Sequence, residues 1–561
     1  MKQLSLFVLL IFSIPTLAQE GTYFGTETGE YGIFLKDLEQ DMLSDIEMKE
    51  RVLGGKKRAI FVPWIRDHVH VMKAMKFIHA DMTSFIEFYL ENQTKEGIFF
   101  DYFYPLGYGG LGSRKKIFHP RYWKEFPKDS IEMHRLPVEA DLEYLLVEGA
   151  YAVWQSTGDA SFVKKWLPAL EKGMMYSMTD PLRWSDRHQL VKRGYTLDTW
   201  DFMQLPLPRD EYTKQGGNVQ KGIFDIDENT PMGIMHGDNS GMYYSSRKLA
   251  EMYNIAGDKT RSQQWRSRAD HFRSKTNSLC WNGKFYAHFV EDDPQPSYLR
   301  MDQRNTLSLS NPYDINRGLP TEDMAQSIIA VYQDLKTSNS KKSFAEWYGV
   351  YPAVEPHFAD YKPGSYMNGG VNTIVAGELA KAAFQHGFEM YGIDILRRLM
   401  DLMQKHNKHL PVAYTPEGKV DEGIPDNWGQ AAVYSAMIEG LAGVADAGSQ
   451  FSDVELSPRW LFANKNEAIV NVAYGPTKVR LTYAFRHDPK SGTISLNASG
   501  PMQKTRIRLP IPPNTTVSKL LVNGKSFKHS MEKVRESSYV VLDGIDEKNM
   551  DVKLFYTPSS K

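Results

Sequence analysis

Cysteine is nearly absent from this 561-residue chain, because Cys280 is the only one. A single cysteine excludes an internal disulfide and any metal cluster held by several thiolates. An excess of charge is missing too, since 67 lysines and arginines oppose 68 aspartates and glutamates for a formal net charge of -1. Nucleic acids and anionic lipids are bound by basic surfaces, so neither is expected as a partner.

Long apolar runs are also scarce. The run at residues 4–14 is too short to cross a bilayer as a permanent helix, and no later run is longer and equally apolar, so no membrane insertion is expected. This run follows Lys2 and precedes Thr16, Leu17 and Ala18, where small residues stand at the positions that a signal peptidase reads. The pattern predicts a cleavable signal peptide over residues 1–18. Export without disulfides favours a bacterial periplasmic or secreted protein.

Nucleotide and metal motifs are missing as well. The chain has no glycine-rich phosphate loop ending in lysine and no Gly-x-Ser-x-Gly elbow. Residues 225–229 resemble the start of a calcium loop, but Thr230 stands where the sharp turn needs glycine. His68 and His70 lie two positions apart, so a helix would direct them to different faces. We therefore predict neither a metal site nor a cofactor.

Apolar residues recur at helical spacing from about residue 67 to residue 444. Three stripes show this spacing, and they are Val69, Met72, Met75, Met82, Phe85 and Tyr89; Leu142, Leu145, Leu146, Gly149 and Val153; and Leu396, Leu399, Met400 and Met403. Gly158-Asp159 and Gly257-Asp258 each separate two amphipathic segments. Glycine can end a helix in the left-handed conformation, and the aspartate can cap the next helix. This repetition indicates helical hairpins.

Period-two alternation replaces the helical pattern towards the C-terminus, as in residues 468–474 and 478–483. Proline and glycine turns separate these runs, which is typical of a small antiparallel β-sandwich. Because 561 residues exceed what one hydrophobic core usually supports, two domains are expected. We predict a lead-in segment over residues 19–60, a helical domain over residues 61–450 and the β-sandwich over residues 451–561.

A loop between predicted hairpins, residues 196–204, places Asp198 and Asp201 beside Trp200. Cleavage of a glycosidic bond requires a carboxylic acid that stays protonated near neutral pH. A neighbouring indole desolvates such an acid and stacks on the apolar face of a sugar ring. Asp201 is therefore the first candidate for a general acid, and Asp198 is expected to support the loop. A helix-capping aspartate beside a buried tryptophan is the alternative explanation of Asp201.

Five short segments form an ordered set, and they are residues 199–202, 238–242, 248–252, 281–286 and 366–371. Their order resembles that of the six-hairpin, (α/α)6-barrel glycosidases, most closely the clan of the trehalases and processing α-glucosidases. The first segment resembles the trehalase loop whose aspartate is the general acid, here Asp201. The resemblance covers roughly residues 60–450 and implies a toroid of six hairpins and an inverting reaction. The C-terminal region resembles the β-domain of related rhamnosidases and disaccharide phosphorylases.

The second carboxylate is harder to locate. In the resembled clan a glutamate begins a Glu-x-Tyr-x-Pro segment before the last helix pair, but Val412 stands at that position here. Residues 417–426 supply four acids in a loop rich in glycine and proline. Glu422 is the preferred general base, because Glu-Gly followed shortly by an aromatic residue and a helix resembles the clan's second acidic segment. The further candidates are Asp421, Asp426 and Glu355, and a solvated loop acid is the alternative for each.

Polar and aromatic residues concentrate in the segments between predicted hairpins, where a rigid scaffold usually carries a binding site. The substrate-binding candidates are Trp64, Arg66, Asp67, Trp200, Asp238, Asn239, Trp347, Tyr366, Asn368 and Trp428. Aromatic rings stack on sugars, although ordinary burial in a helical core explains most of the 11 Trp and 30 Tyr. Helix capping is the alternative explanation of Asp67 and Asp238.

These patterns favour an exo-acting glycoside hydrolase that cleaves oligosaccharides derived from plant or algal polysaccharide. Asp201 would act as general acid and Glu422 as general base, and two carboxylates with separated pKa values need no cofactor. A polysaccharide lyase or unsaturated-uronide hydrolase is the second hypothesis, with Arg66, His236 and His119 neutralising a uronate. The third is a carbohydrate-binding protein without activity, built on a decayed hydrolase scaffold.

Overall fold

The computed structural model describes residues 21–45, 48–107, 117–294, 296–299, 301–421 and 427–558. Its helices are α1 Glu30–Ser44, α2 Ile65–Ile78, α3 Ser84–Glu91, α4 Leu142–Thr157, α5 Ala160–Thr179, α6 Arg209–Lys214, α7 Val219–Phe224, α8 His236–Ala256, α9 Lys259–Cys280, α10 Ser310–Arg317, α11 Glu322–Ser338, α12 Thr373–Gln385, α13 Glu389–Lys405 and α14 Trp428–Ser435. A π-helical turn, Ala436–Leu441, continues α14. Among these residues no helix is long and apolar enough to cross a membrane.

Short strands connect the helices, and longer strands follow them. The first group is β1 Tyr23–Thr26, β2 Lys49–Leu53, β3 Lys56–Ile60, β4 Tyr102–Pro105, β5 Trp123–Phe126, β6 Ile131–His134, β7 Trp184–Ser185, β8 Leu190–Gly194, β9 Met232–Ile234, β10 Val290–Glu291, β11 Leu307–Ser308, β12 Val350–Tyr351, β13 Val371–Asn372 and β14 Ala413–Tyr414. The second group is β15 Val444–Asp446, β16 Asp453–Leu456, β17 Glu467–Ala473, β18 Arg480–Asp488, β19 Thr493–Ser499, β20 Lys504–Ile511, β21 Thr515–Val522, β22 Lys525–Ser526, β23 Ser530–Val534, β24 Ser537–Ile545 and β25 Asn549–Pro558. The chain is therefore mainly helical first and sheet-rich afterwards.

Left-handed glycines end two helices where the sequence predicts. Gly158, with φ 71°, follows α4, and Gly257, with φ 88°, follows α8. The side chains of Asp159 and Asp258 then accept hydrogen bonds from backbone N–H groups at the starts of α5 and α9. Both predicted hairpin connections are confirmed.

Six helices contact one another in a closed cycle. Along the chain α2 packs on α4, α4 on α8, α8 on α10, α10 on α12, and α12 on α14, which packs back on α2. A second layer covers them, in which α5 packs on α4, α9 on α8, α11 on α10, α13 on α12 and α1 on α14. The first helix of the described residues, α1, therefore supplies the outer layer for the last helix of the cycle.

The first predicted apolar stripe, over residues 69–89, is divided between α2 and α3. Between these helices the Oδ1 atom of Asp81 accepts hydrogen bonds from the N–H groups of Thr83 and Ser84, each at 2.9 Å. This turn leads into α3, and Met82 lies in the connection instead of on a helix. The other two predicted stripes lie on α4 and α13.

Two sheets make up the C-terminal part. One has the strand order β1-β17-β18-β19-β25-β21-β22, and the other has the order β15-β16-β20-β24-β23. Buried and less buried residues alternate along β18 and β19, in agreement with the period-two prediction. The prediction of a purely antiparallel arrangement is wrong at one place, because β16 and β20 pair in parallel. Between these two strands the chain passes through β17, β18 and β19 of the other sheet, which provides the long crossover that a parallel pair requires.

The described N-terminal elements serve two parts of the molecule. β1 forms an edge of the first C-terminal sheet, where Tyr23 lies opposite Asn471. The next element, α1, packs on α14 of the helical part. The segment before residue 60 thus ties the helices to the sheets.

Candidate active site

A cavity of about 290 Å³ lies where several helices of the closed cycle begin. Trp64 precedes α2, Leu309 precedes α10, and Trp428 is the first residue of α14. The lining residues are Trp64, Arg66, Asp67, Tyr104, Leu136, Thr199, Trp200, Asp201, Phe202, Phe224, Leu309, Tyr366, Met367, Ile374 and Trp428. Because most of these side chains are aromatic or aliphatic, the cavity offers stacking surfaces and few charged groups.

Asp201 lies in this lining and is only 9% exposed. Its loop is closed by a bridge between Thr196 and Met203 and by a turn in which the Trp200 N–H donates to a carbonyl at 3.2 Å. Burial raises the pKa of Asp201 above the usual aspartate value, and the positive charge of Arg66 opposes this only in part. A carboxyl that keeps its proton to higher pH can act as a proton donor to a ligand in the cavity.

Trp200 is fixed on both sides of its loop. Its ring lies 4.5 Å from the ring of Phe202, 5.2 Å from that of Tyr361 and 5.5 Å from that of Tyr366, measured between centroids. Its carbonyl oxygen accepts a hydrogen bond from Nη2 of Arg193 at 2.7 Å. Ring contacts and one backbone hydrogen bond therefore hold the aromatic wall beside Asp201.

Arg66 is the charged neighbour of Asp201, and other carboxylates orient it. Its Nε and Nη2 atoms donate to the two oxygens of Asp141 at 2.6 and 3.0 Å, and Nη2 also donates to Glu139 at 3.2 Å. Its Nη1 atom lies 3.7 Å from the Asp201 carboxylate. Sequence reasoning missed Glu139 and Asp141, although two alternating acids directly before α4 exceed what capping that helix requires.

A second carboxyl pair lies beside Arg66. Asp101 and Glu139 are both fully buried. Burial raises the pKa of Asp101 to about 7, and burial and the nearby Asp101 raise the pKa of Glu139 well above its usual range. The guanidinium of Arg66 therefore faces three buried acids, Glu139, Asp141 and Asp201.

Two indoles of the cavity are anchored by other rings. The Trp428 ring stacks on His70 with a centroid distance of 4.1 Å, and its Nε1 donates to the hydroxyl of Tyr313 at 2.5 Å. The Trp64 ring packs on Tyr102 at 4.2 Å. Fixed aromatic faces of this kind suit the stacking of a flat, partly apolar ligand.

The structure brings together seven of the residues predicted for the site. They are Trp64, Arg66, Asp67, Trp200, Asp201, Tyr366 and Trp428. Within the described part of the lining, Asp67 and Asp201 are the two carboxylates. The cavity thus combines a buried acid, a second acid and several aromatic faces.

Asp238 and Asn239 lie beneath the Asp201 loop instead of in the cavity lining. Asp238 is fully buried and forms an ion pair with Nη1 of Arg193 at 3.3 Å. The Asn239 side chain accepts from the N–H of Val191 and donates to its carbonyl, both at 2.9 Å. Through Arg193, Asp238 is linked to the Trp200 carbonyl of the loop, whereas Asn239 ties β8 to the start of α8.

Trp347 and Asn368 are also engaged away from the cavity lining. The Trp347 ring is fully buried, and the guanidinium of Arg398 lies 4.5 Å from its centroid. The Asn368 amide accepts from the N–H of Val354 at 2.7 Å and donates to its carbonyl at 3.0 Å. Asn368 thereby fixes the segment that leads to Tyr366.

The general base predicted at Glu422 lies outside the described residues, as does Asp426. Asp421 accepts hydrogen bonds from the backbone N–H of Tyr366 at 2.5 Å and from a serine hydroxyl at 3.2 Å. It therefore supports an aromatic residue of the cavity. Glu355 is exposed and does not belong to the described lining.

The remaining lining residues were not predicted. They are Tyr104, Leu136, Thr199, Phe202, Phe224, Leu309, Met367 and Ile374. Thr199, Phe202 and Met367 adjoin predicted site residues in the chain, which was an available signal. The isolated aliphatic residues carry no such signal, because a lone leucine or isoleucine in a helical sequence is typical of the core.

A second cavity, of about 170 Å³, lies further along the same helices. Its charged lining residues are Lys73, Lys76, Glu148, Lys248, Arg317, Glu378, Lys381, Glu439 and Asp446. Glu439 pairs with Lys76 at 3.2 Å and also with Lys381. Burial opposes ionisation of Glu439, but the two lysines outweigh it and lower its pKa to about 2. Tyr313 lines this cavity and accepts the hydrogen bond from Trp428, so this contact lies between the two cavities.

No protein-family model and no curated protein sequence matches this chain. Solved structures do: the α-L-rhamnosidase of Dictyoglumus thermophilum has a TM-score of 0.57 at 12% identity, over 95% of this chain and 50% of that enzyme. The rhamnosidase of Bacillus sp. GL1 has a TM-score of 0.55 at 12% identity, over 88% of this chain and 43% of that enzyme. The α-L-rhamnosidase of Aspergillus terreus has a TM-score of 0.50 at 10% identity, over 96% of this chain and 50% of that enzyme.

The chain spans about half the length of these rhamnosidases. At this low identity the likeness concerns the fold alone. In the described residues, no group of three or more His, Cys, Asp or Glu side chains is arranged to hold a metal ion.

Proposed function

We propose that this protein is an exo-acting glycoside hydrolase whose partner is an oligosaccharide. The observation that carries the proposal is the position of Asp201, a buried carboxyl with a raised pKa in the wall of an aromatic cavity. The likeness of the fold to solved structures named as rhamnosidases supports it. A protonated acid next to stacking surfaces is what departure of a sugar leaving group requires.

The finer architecture that we propose is an (α/α)6 toroid. The closed cycle of six helices would be the inner ring, and the helices packed outside them would complete six hairpins. The last hairpin would join α14 to α1, the two ends of the helical part. In such a ring the cavity lies at one mouth and the charged second cavity lies deeper along the axis.

The proposed reaction is a single displacement with inversion. Asp201 gives its proton to the glycosidic oxygen as the bond from that oxygen to the anomeric carbon breaks. A water molecule adds its oxygen to the anomeric carbon from the opposite face, and a second carboxylate takes the proton that the water loses. Arg66 and the aromatic walls orient the sugar, and inversion places the two carboxyl groups about 6.5–9.5 Å apart.

For the second carboxylate we retain Glu422 as the proposed general base. Its neighbour Asp421 supports Tyr366, and Trp428 lines the cavity, so the described residues on both sides of this segment belong to the site. Asp67 is the alternative base, because it lies in the same lining as Asp201. Replacement of each acid by its amide distinguishes them, since loss of the base removes turnover whereas loss of a binding residue mainly raises KM.

The size and lining of the cavity indicate the sugar to test first. A volume of about 290 Å³ accommodates little more than one pyranose ring, which favours attack at a chain end. Leu136, Phe224, Leu309 and Ile374 add aliphatic and aromatic surface that would pack against the methyl group of a 6-deoxy sugar. Rhamnose, the sugar named for the similar structures, has such a methyl group.

A uronate substrate, as a lyase or uronide hydrolase requires, has less support. Of the three cationic residues considered for it, His236 is fully buried between carboxylates, and His119 is exposed outside the described lining. Arg66 reaches the cavity, but its charge is already shared with Asp141 and Asp201. We therefore favour a neutral sugar.

The test is a screen of the purified protein against 4-nitrophenyl glycosides, starting with the α-L-rhamnoside and including a 4,5-unsaturated uronide. The expected result is hydrolysis of one neutral glycoside, inverted product in the first NMR spectra, and a kcat for Asp201→Asn that is about 10²–10⁴-fold lower. A fully active Asp201→Asn variant would overturn the assignment. Sugar binding without turnover, unaffected by this substitution, would instead establish the non-catalytic binding protein.

We also propose that the protein is exported by a bacterium. The support is the pattern of residues 1–18, which lie outside the described residues. Cell fractionation with N-terminal sequencing of the mature protein tests this, and retention of Met1 in cytoplasmic protein would contradict it.

A further inference from the structure

His236, the first residue of α8, lies between two buried carboxylates. Its Nδ1 atom is 2.5 Å from Oδ2 of Asp314 on α10, and its Nε2 atom is 3.5 Å from Oδ2 of Asp198. The hydroxyl of Ser308 lies 2.8 Å from the same Nε2 atom. All four residues are almost fully buried, so these interactions are weakly screened by solvent.

Asp198 occupies a strained position in the loop that carries Asp201. Its φ of 55° is in the left-handed region, which a residue with a side chain rarely adopts. Three hydrogen bonds hold it there: its carboxylate accepts from Ser310 N–H at 2.9 Å, its N–H donates to Nε2 of His288 at 3.0 Å, and its carbonyl accepts from Thr196 Oγ1 at 2.5 Å. Strained conformations persist when surrounding contacts determine them in this way.

Gly237 allows α8 to approach this loop closely. A Cβ atom at this position would lie 2.6 Å from Oδ1 of Asp198 and would also collide with Oγ of Ser310. Only glycine leaves room for both side chains at the start of the helix. The geometry of the helix start therefore depends on the position of Asp198.

Asp238 provides a second connection to the same loop. It forms an ion pair with Arg193, and Nη2 of Arg193 donates to the Trp200 carbonyl at 2.7 Å. Asp201 is the next residue. Contacts from consecutive residues of α8 thus reach the loop on both sides of Thr199, at Asp198 and at Trp200.

We propose that His236 and Asp238 are positioning residues, which hold the 196–204 loop so that Asp201 faces the cavity, and that the positive charge of His236 is required for this. The effect on turnover rests on the proposed function. The effect on the loop does not, because it concerns the order of the loop whether or not a glycoside is cleaved.

The charge of His236 is set by its surroundings. Burial lowers the pKa of this histidine, but the carboxylates of Asp314 and Asp198 outweigh burial and raise it to about 8. The charged and titratable groups that face this cluster are Asp314 and Arg317 from α10, Asp198 from the loop, Asp238 from α8, Cys280 from α9, Tyr332 from α11, and His288 and Tyr286 from the segment after α9. The imidazolium is thus present at neutral pH, and its loss above about pH 8 leaves two carboxylates facing a neutral ring.

The experiment is hydrogen exchange, followed by mass spectrometry of peptides covering residues 195–204, at pH 7 and pH 9 with correction for intrinsic rates. At pH 7 the His236→Gln variant is expected to exchange about tenfold faster in this loop than the unaltered protein. The unaltered protein should lose protection of the loop at pH 9. The control is His409→Gln, because His409 also pairs with a carboxylate, that of Asp41, and has a raised pKa but does not contact the loop.

Equal loop protection in His236→Gln and the unaltered protein at both pH values would overturn the proposal, whether or not hydrolysis is found. Should His236→Gln not fold, Asp314→Asn removes one partner without changing shape and is expected to show the same local loss. Where turnover is found, we expect His236→Gln to displace Asp201 and so to impair proton donation to the leaving group. This variant should then lower kcat more for a phenyl glycoside than for a 2,4-dinitrophenyl glycoside, whose leaving group needs no proton. An equal loss for both leaving groups would exclude the positioning of Asp201 as the role of His236.

Discussion

The Nη1 atom of Arg66 lies 3.7 Å from Oδ2 of Asp201, while Nε and Nη2 of the same guanidinium bind Asp141. One cation is thus shared between a carboxylate that orients it and a carboxyl that faces the cavity. Asp141 fixes the direction of the guanidinium, and Asp201 is subject to its positive charge.

Replacement of Arg66 tests this arrangement through stability. The Arg66→Met variant leaves Asp141 buried without its counter-charge, and such losses cost about 3–5 kcal/mol of the free energy of unfolding. The double variant Arg66→Met with Asp141→Asn should recover much of this loss, because the amide that replaces the Asp141 carboxylate carries no charge. Urea unfolding measures both, and strictly additive losses would contradict the pairing.

The pH dependence of turnover tests the state of Asp201. Because a general acid must be protonated and burial raises the pKa of Asp201, activity is expected to fall as the pH rises through that raised value. The alkaline limb of kcat/KM should therefore lie above the range in which an exposed aspartate titrates, near pH 3.9. This is checked by measuring the pH profile of kcat/KM with one glycoside that has a good leaving group and one that has a poor leaving group. A limb that stays at the ordinary aspartate value would contradict the buried acid.

The aromatic walls predict a separation between binding and stability. Trp428→Ala removes a stacking face from the cavity, so KM should rise by about tenfold, which corresponds to the roughly 1.4 kcal/mol gained from such a contact. Trp347→Phe is the matched control, because its ring is fully buried outside the cavity lining. It should lower the melting temperature and leave KM unchanged. An unaltered KM in Trp428→Ala would remove this ring from the binding surface.

Glu439 makes the deeper cavity sensitive to acid. Its pKa of about 2 in the folded protein lies below the ordinary glutamate value of 4.5, so its stabilising effect is present above pH 4.5 and disappears as the pH falls towards 2. The shift corresponds to about 3 kcal/mol of the free energy of unfolding, and Glu439→Gln should lose this amount at pH 7. Below pH 4.5 the loss caused by the substitution should become progressively smaller. Urea titrations at several pH values measure this difference. Glu467→Gln, from an exposed pair with Arg486, is the control and should change stability by less than about 0.5 kcal/mol.

Local signals allowed much of the helical part to be predicted. Gly158 and Gly257 end helices because the left-handed conformation favours glycine, and the aspartates that follow cap the next helices. The Trp200-Asp201 pair was found for a similar reason, since the chemistry needs these two residue types side by side. Contacts between distant segments gave no comparable signal. The packing of α1 on α14 and the parallel pairing of β16 with β20 depend on the whole chain.

The same limit explains the predicted site residues that lie outside the cavity lining. Asp238 lies in the first turn of a helix beside the site. The sequence does not show that Arg193, 45 positions earlier, forms an ion pair with Asp238. Trp347 carries the right ring for stacking, yet burial under Arg398 follows from packing that no motif encodes. Conversely, Leu309 and Ile374 line the cavity only because α10 and α12 begin there.

The pairing of β1 with β17 has a consequence for biosynthesis. Thr22 and Ala473, which are hydrogen-bonded in the folded protein, stand 451 positions apart. At typical translation rates of 5–20 residues per second, the nascent N-terminal strand waits roughly 20 to 90 seconds on the ribosome before its partner emerges. During that interval its backbone edge is unprotected and available to chaperones or to other chains. Premature termination before β17 would leave that edge permanently open, which marks such fragments for aggregation or degradation.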